Sequence, residues 1–144
     1  MSGMHLESKE KIRVNGKQQM IDLLKFMEGE EKTNLIRNIV KRNPTLAREL
    51  MEASFNFKSL NNMSDDKIVL VLGYVNNAVI GLALKNSPAS FQRRVLSLLE
   101  RSRAEEAFGI LQRTGHAISS VLKAQEKIVS VAVALSKKKQ ISLY

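Results

Sequence analysis

The side chains that could carry chemistry in this sequence are few and scattered. Two histidines occur, His5 near the start and His116 directly after Gly115. Neither stands at helical spacing from a second ligand, so the two do not describe a metal site. Cysteine is absent, which excludes a disulfide, a thiolate zinc site and a thiol nucleophile. The acidic pairs Glu30-Glu31, Asp65-Asp66 and Glu105-Glu106 are each adjacent in sequence. Neighbours on a helix point about 100° apart, so such pairs do not converge as acid and base. Helix-start stabilisation explains the first two better. The glycine-rich phosphate loops and the serine elbow motif are missing. The expectation is therefore no catalytic residue, no cofactor and no metal: a protein that binds rather than an enzyme.

What does cluster is positive charge. The chain has 23 Lys and Arg against 14 Asp and Glu, a net charge of +9. Arg93, Arg94, Arg101, Arg103 and Arg113 fall on two successive helical patterns, followed in the second by Glu105 and Glu106. Spacings of seven and eight residues put Arg93, Arg94 and Arg101 within reach of one helix face. Such a patch attracts nucleic acid, anionic lipid or an acidic protein face. Nucleic-acid binding asks for interleaved aromatic residues or a recognition helix, and no Tyr or Trp stands among these arginines. An acidic protein partner explains the charges at least as well. A basic helical module for nucleic acid or another acidic partner is the alternative reading. Lys137-Lys138-Lys139 reads more simply as a cation run at a helix C-terminus.

The elements that must position these residues are helices. A chain of 144 residues buries roughly two-thirds of its unfolded surface, enough for one real core. Leu, Ile, Val, Ala and Met supply it, with two prolines and no Trp, which favours helix-on-helix packing over a sheet. Residues 1–16 are polar and read as a tail or linker, with a turn at Asn15-Gly16. Met20, Leu23, Leu24 and Met27 then follow the i, i+3, i+4, i+7 rule, and Gly29 ends that helix. Leu35, Ile36, Ile39 and Val40 form a second, closed by Lys41 and Arg42. Asn43-Pro44 opens a third as cap and first helical residue, lined by Leu46, Leu50 and Met51.

Ser54-Phe55-Asn56-Phe57 breaks the pattern, since two aromatics one residue apart follow a period of two. Both phenylalanines are read as packing anchors. Ser64 then caps a short, heavily buried helix with Ile68, Leu70, Val71, Leu72 and Val75. Beyond the turn at Asn76-Asn77, Val79 to Leu84 has few polar positions and should be central. Ser87-Pro88 repeats the cap-then-proline device before Phe91, Val95, Leu98 and Leu99. Ala104, Ala107, Phe108 and Leu111 line the next helix, and a last one runs from Ser119 to Lys137. About eight helices are expected. The longest apolar stretch, Ile128 to Leu135, is far short of the ~20 residues that cross a bilayer. Met1-Ser2-Gly3-Met4-His5 shows no secretory signal. A soluble, cytoplasmic protein is expected.

Several of these segments together resemble a known family. Asn15-Gly16 followed by Met20-Ile21-Asp22-Leu23-Leu24 resembles "GG…AEIL". Asn43-Pro44-Thr45-Leu46-Ala47-Arg48-Glu49-Leu50 resembles "DPELAEEI", and Ser54-Phe55-Asn56-Phe57 takes the place of an MFVF-type hinge. Phe57-Lys58-Ser59-Leu60 with Ser64-Asp65-Asp66-Lys67-Ile68 is similar to "FEDL…LDDRSIQ". Leu82-Ala83-Leu84-Lys85 matches "LALK", and Lys123-Ala124-Gln125-Glu126-Lys127-Ile128-Val129 resembles "EEAQQKIV". In this order they resemble the C-terminal half of the bacterial flagellar motor switch protein FliG, from about residue 15 onward.

The resemblance implies an all-α fold: an armadillo-like unit over 17–53, an aromatic hinge over 54–57 and a C-terminal multi-helix domain over 58–144. It implies a rotor component at the cytoplasmic face of the inner membrane, with FliM, neighbouring FliG subunits and the stator protein MotA as partners. The family's FliF-docking domain and the middle domain with its "EHPQ" motif have no counterpart in these residues. Of the family's torque residues, the lysine after "LAL" is kept as Lys85. The arginine falls on Ser102, beside Arg103. Two acidic positions fall on Gly109 and Ile110, and a further basic one on Ile118. Glu105 and Glu106 keep negative charge one turn earlier. The partner-facing set implied is Lys85, Arg93, Arg94, Arg101, Arg103, Glu105 and Glu106, with stator contact altered or lost.

Overall fold

The computed structural model describes residues 16–143; of the expected tail over 1–16, all but Gly16, with His5 and Asn15, lies outside them. Eight α-helices and one short 3₁₀ helix make up the regular structure among the described residues. Helix α1 covers residues 16–26, so Gly16 is helical rather than a turn. Next come α2 (Gly29–Arg42) and α3 (Pro44–Ser54), then the 3₁₀ helix (Phe57–Asn62). They are followed by α4 (Asp65–Leu72), α5 (Asn77–Ala83), α6 (Ala89–Leu98), α7 (Arg101–Gln112) and α8 (Ile118–Lys137). The chain divides into two compact units that part after Phe55.

The first unit holds α1 to α3. Gly29 does not close α1; it opens α2 with φ at 72°, a left-handed value that glycine adopts without steric cost. Glu30 and Glu31 stand in the first turn of α2 and Lys41 and Arg42 in its last, each matched to the helix dipole. The Asn43 side chain accepts a hydrogen bond from the Leu46 amide at 3.1 Å, and Pro44 follows as first helical residue. Leu24, Ile36 and Leu50 form the buried centre, with Met20, Met27, Leu46 and Met51 packed around them. Leu23, expected in the stripe, is 51% exposed, and Val40 is exposed too. Three short helices offer each other one narrow contact, and a residue one position from Leu24 turns about 100° away from it.

The second unit starts with a reciprocal cap. The Asn56 side chain accepts from the Ser59 amide at 3.0 Å, and the Ser59 hydroxyl accepts from the Asn56 amide at 3.2 Å. These two bonds satisfy donors that the start of a helix otherwise leaves open. Phe57 is half-buried and meets Phe91 edge-on, with ring centroids 5.6 Å apart. Phe55 is buried. Ser64 precedes α4 but makes no side-chain cap bond. Asn76, expected in a turn, caps α5 by accepting from the Val79 amide at 2.9 Å. Pro88 is itself the cap residue of α6, one position earlier than the proline of α3.

Helix α5 is central, as its composition predicts: Ile80, Gly81, Ala83 and Leu84 are buried and α7 and α8 both pack on it. A Cβ at Gly81 would lie 2.5 Å from the Ala107 carbonyl oxygen and 2.7 Å from the Ile110 Cβ, so glycine is what lets α5 and α7 approach. This contact turns Ala107 inward and leaves Phe108, expected inside, 45% exposed. Leu70 and Val69 of α4 are likewise exposed, while Ile68, Val71 and Leu72 are buried.

The end of α8 closes in a Schellman arrangement. Gln140 donates to the Leu135 carbonyl and Lys139 to that of Ser136, both at 2.9 Å, with Lys139 left-handed at φ 61°. Beyond it Ile141 and Leu143 are buried, and Lys67 donates to the Ser142 hydroxyl at 2.8 Å.

Candidate partner-binding surface

The five arginines expected to form one patch do not do so. Helix α6 ends at Leu98 and α7 begins at Arg101, so spacings of seven and eight across that break do not describe a common helix face. The structure corrects that expectation and sorts the arginines by what their guanidinium groups meet.

Arg94, on α6, is turned toward the start of α4. Its Nε and Nη2 donate to Asp65 Oδ1 at 3.0 and 2.8 Å. Nη1 reaches the Asn61 carbonyl at 2.6 Å and Nη2 the Met63 carbonyl at 2.6 Å. Arg103, on α7, is turned toward the other end of α4. It donates to the Leu72 carbonyl at 3.1 Å, the Val75 carbonyl at 2.6 Å and Asn77 Oδ1 at 2.7 Å. The last carbonyls of a helix have no intrahelical partner, and a planar fork of donors suits two of them at once. Helix α4 is therefore held at both ends by arginines from two different helices.

The same logic holds α5. Gln125 donates to the Ala83 carbonyl at 3.0 Å and Gln92 to the Leu84 carbonyl at 2.7 Å. Neither glutamine, nor Asn61 or Asn77, was identified by charge or motif chemistry as a site residue. Gln125 does lie within the "EEAQQKIV"-like segment, which is the signal that marks it. Lys85 is half-buried and donates to the Arg113 carbonyl, which fixes the chain where α7 ends.

The remaining expected residues face outward. Arg93, Arg101, Arg113, Glu105 and Glu106 are exposed. Arg101 pairs with Glu105 at 3.2 Å along α7, with 94% of its side chain open to solvent, a geometry that adds little stability. Glu106 accepts from the Asn77 amide group at 2.7 Å, joining the Arg103 network to the surface. Gly109 and Ile118 are exposed, and Ile110 is half-buried over Gly81. His116 lies exposed in the irregular stretch between α7 and α8. Ser54 ends α3; Phe55 and Asn56 are extended, and Phe57 begins the 3₁₀ helix. Among the described residues no group of three or more His, Cys, Asp or Glu could hold a metal ion, and no helix is long and apolar enough to cross a membrane. With Arg94 and Arg103 turned inward, the reading of this cluster as a nucleic-acid face is not favoured.

Comparison with known proteins agrees with this all-helical arrangement. The model of the FliG C-terminal domain matches residues 37–143. The flagellar motor switch protein FliG of Aquifex aeolicus is 24% identical over 132 residues, covering 88% of this chain and 39% of that protein. FliG of Thermotoga maritima is 23% identical over 120 residues, covering 83% of this chain and 36% of the relative. The chain thus spans well under half the length of these curated relatives. A crystal structure of a FliG fragment from H. pylori superposes with a TM-score of 0.65 at 20% identity, over 86% of this chain and 55% of that one. By the match over 37–143, this chain belongs to the FliG C-terminal domain family.

Proposed function

We propose that this chain is a rotor-side component of the bacterial flagellar switch, a scaffold that meets other proteins through helix faces and serves motility and chemotaxis. The match of the FliG C-terminal domain to residues 37–143 carries the reading. The expected partners are FliM and neighbouring FliG-type subunits at the cytoplasmic face of the inner membrane. Residues 54–57 serve as the hinge between an armadillo-like unit and the C-terminal domain. Two extended residues, Phe55 and Asn56, between helical elements support that role.

The torque contact with MotA is altered or lost. Lys85 is tied to a backbone carbonyl. The exposed Gly109 and Ile118 carry no charge where the family resemblance expects it. Exposed ion pairs contribute about 0–1 kcal/mol each, so an interface assembled from several fails when half are missing. Arg93, Arg101, Glu105 and Glu106 are the charged groups left to meet a partner, while Arg94 and Arg103 act through the frame.

Cross-linking and pull-down of the tagged full chain from a flagellated host tests the reading. Recovery of switch-complex proteins is expected, and recovery of no switch or basal-body protein would overturn it. A MotA cytoplasmic segment should bind the parent no better than an unrelated peptide, and Gly109→Asp with Ile118→Arg should strengthen that binding.

A further inference from the structure

Helix α4 is apolar on more than its buried side. Ile68, Val71 and Leu72 point into the core, while Asp66, Val69, Leu70, Gly73 and Tyr74 are exposed. At 3.6 residues per turn those five fall within an arc of about 140°, on the side away from the core. Val69, Leu70 and Tyr74 keep 47%, 37% and 61% of their surface in water, so three large side chains form one apolar strip. The charges beside the strip are already engaged: Arg94 donates to Asp65, and Lys67 to Ser142. Two polar groups remain within it, the Asp66 carboxylate before the apolar centre and the Tyr74 hydroxyl after it. Neither has a hydrogen-bond or ion-pair partner among the described residues. A carboxylate only accepts, whereas a phenol can donate. The two residues stand about 12 Å apart along the helix, with Leu70 midway.

We propose that two copies of this chain pair through the outward face of α4, antiparallel, with Leu70 at a two-fold axis. Each Asp66 then accepts a hydrogen bond from the Tyr74 hydroxyl of the other copy. Leu70 meets its own counterpart, and Gly73, with no side chain, makes room for the opposite Val69. A two-fold contact requires this reciprocity, in which the same patch serves both sides. The order acceptor, apolar centre, donor supplies it, because reversing the strip places each group against its complement. That match selects a second copy as the occupant. The five residues include an acid and no base, which suits neither a nucleic-acid backbone nor an anionic lipid surface. They cover far less than the roughly 800 Å² per partner of a stable complex, so the pairing is weak, with a Kd on the order of 0.1–1 mM. It is a property of two copies of this chain and does not rest on the flagellar reading.

Sedimentation equilibrium and amide spectra of the purified full chain, taken across a concentration series, test this. Between roughly 0.02 and 2 mM protein, monomer should give way to dimer. The resonances of Val69, Leu70 and Tyr74 should move with concentration, while that of Lys127, exposed on α8, stays in place. Tyr74→Phe and Asp66→Ala should each weaken pairing about tenfold, because symmetry makes either substitution remove two hydrogen bonds. The double variant should be little weaker than either single one, as expected when the two residues share one bond. Leu70→Lys should stay monomeric throughout the series with its amide spectrum otherwise that of the folded parent. A parent chain that is monomeric at the top of the series, which leaves the strip to some other protein, would overturn the proposal. So would fully additive losses for Asp66 and Tyr74, or a dimer that survives Leu70→Lys.

Discussion

Arg94 and Arg101 lie seven residues apart and carry the same charge, yet they belong to different regions of the molecule. Arg94 sits in a frame of carbonyl and carboxylate oxygens around the start of α4. Arg101 stands on the outer side of α7, paired among the described residues only with Glu105 one turn away. The frame at the two ends of α4 uses guanidinium groups as geometry, and the outer side uses them as charge. A carbonyl at a helix end must be paired somewhere, and where a fork of donors can reach several of them, arginine becomes part of the fold. A charge held in water is left for a partner.

This contrast can be broken or sharpened by substitution. Arg94→Ala, which strips charged hydrogen bonds from Asp65 and two carbonyls, should cost about 3 kcal/mol in urea unfolding. Phe57→Ala, which removes a half-buried ring from its edge contact with Phe91, should cost about 2 kcal/mol, less than a fully buried Phe. Its unfolding midpoint matching the parent's would show that the ring adds nothing to the second unit. On the outer side the sign reverses. No atom lies within 4 Å of a Cβ at Gly109, so Gly109→Ala should stabilise by about 1 kcal/mol through helix propensity alone, read as a raised Tm. The smallest effect belongs to Arg101→Ala, which should leave the unfolding curve where it was.

How far the sequence could be read follows the same division. The Asn43-Pro44 start of α3, the buried Leu24 and Leu50, and the central place of α5 were legible because each rests on residues close in the chain. The inward turn of Arg94 and Arg103 was not, since the carbonyls they meet lie about thirty residues away. Leu23 and Phe108 show the limit of periodicity: it identifies an apolar stripe, but which edge of that stripe is covered depends on the neighbouring helix. Gly81 has no signal of its own within the apolar run from Val79 to Leu84, because its meaning depends on Ala107 across the α5–α7 contact. Pro88 was displaced by one residue because a proline of φ −56° suits the position before a helix as well as its first turn. For the surface residues, charge could be counted from the sequence, but its direction could not.

Arg94 and Arg103 act by shape inside the second unit. Replacing each with lysine keeps the charge and removes the fork, so equilibrium urea unfolding of Arg94→Lys and Arg103→Lys tests it most directly. A loss of about 2 kcal/mol is expected for each. Unfolding curves that overlay the parent's for both variants would contradict it and return these arginines to the surface as plain positive charge.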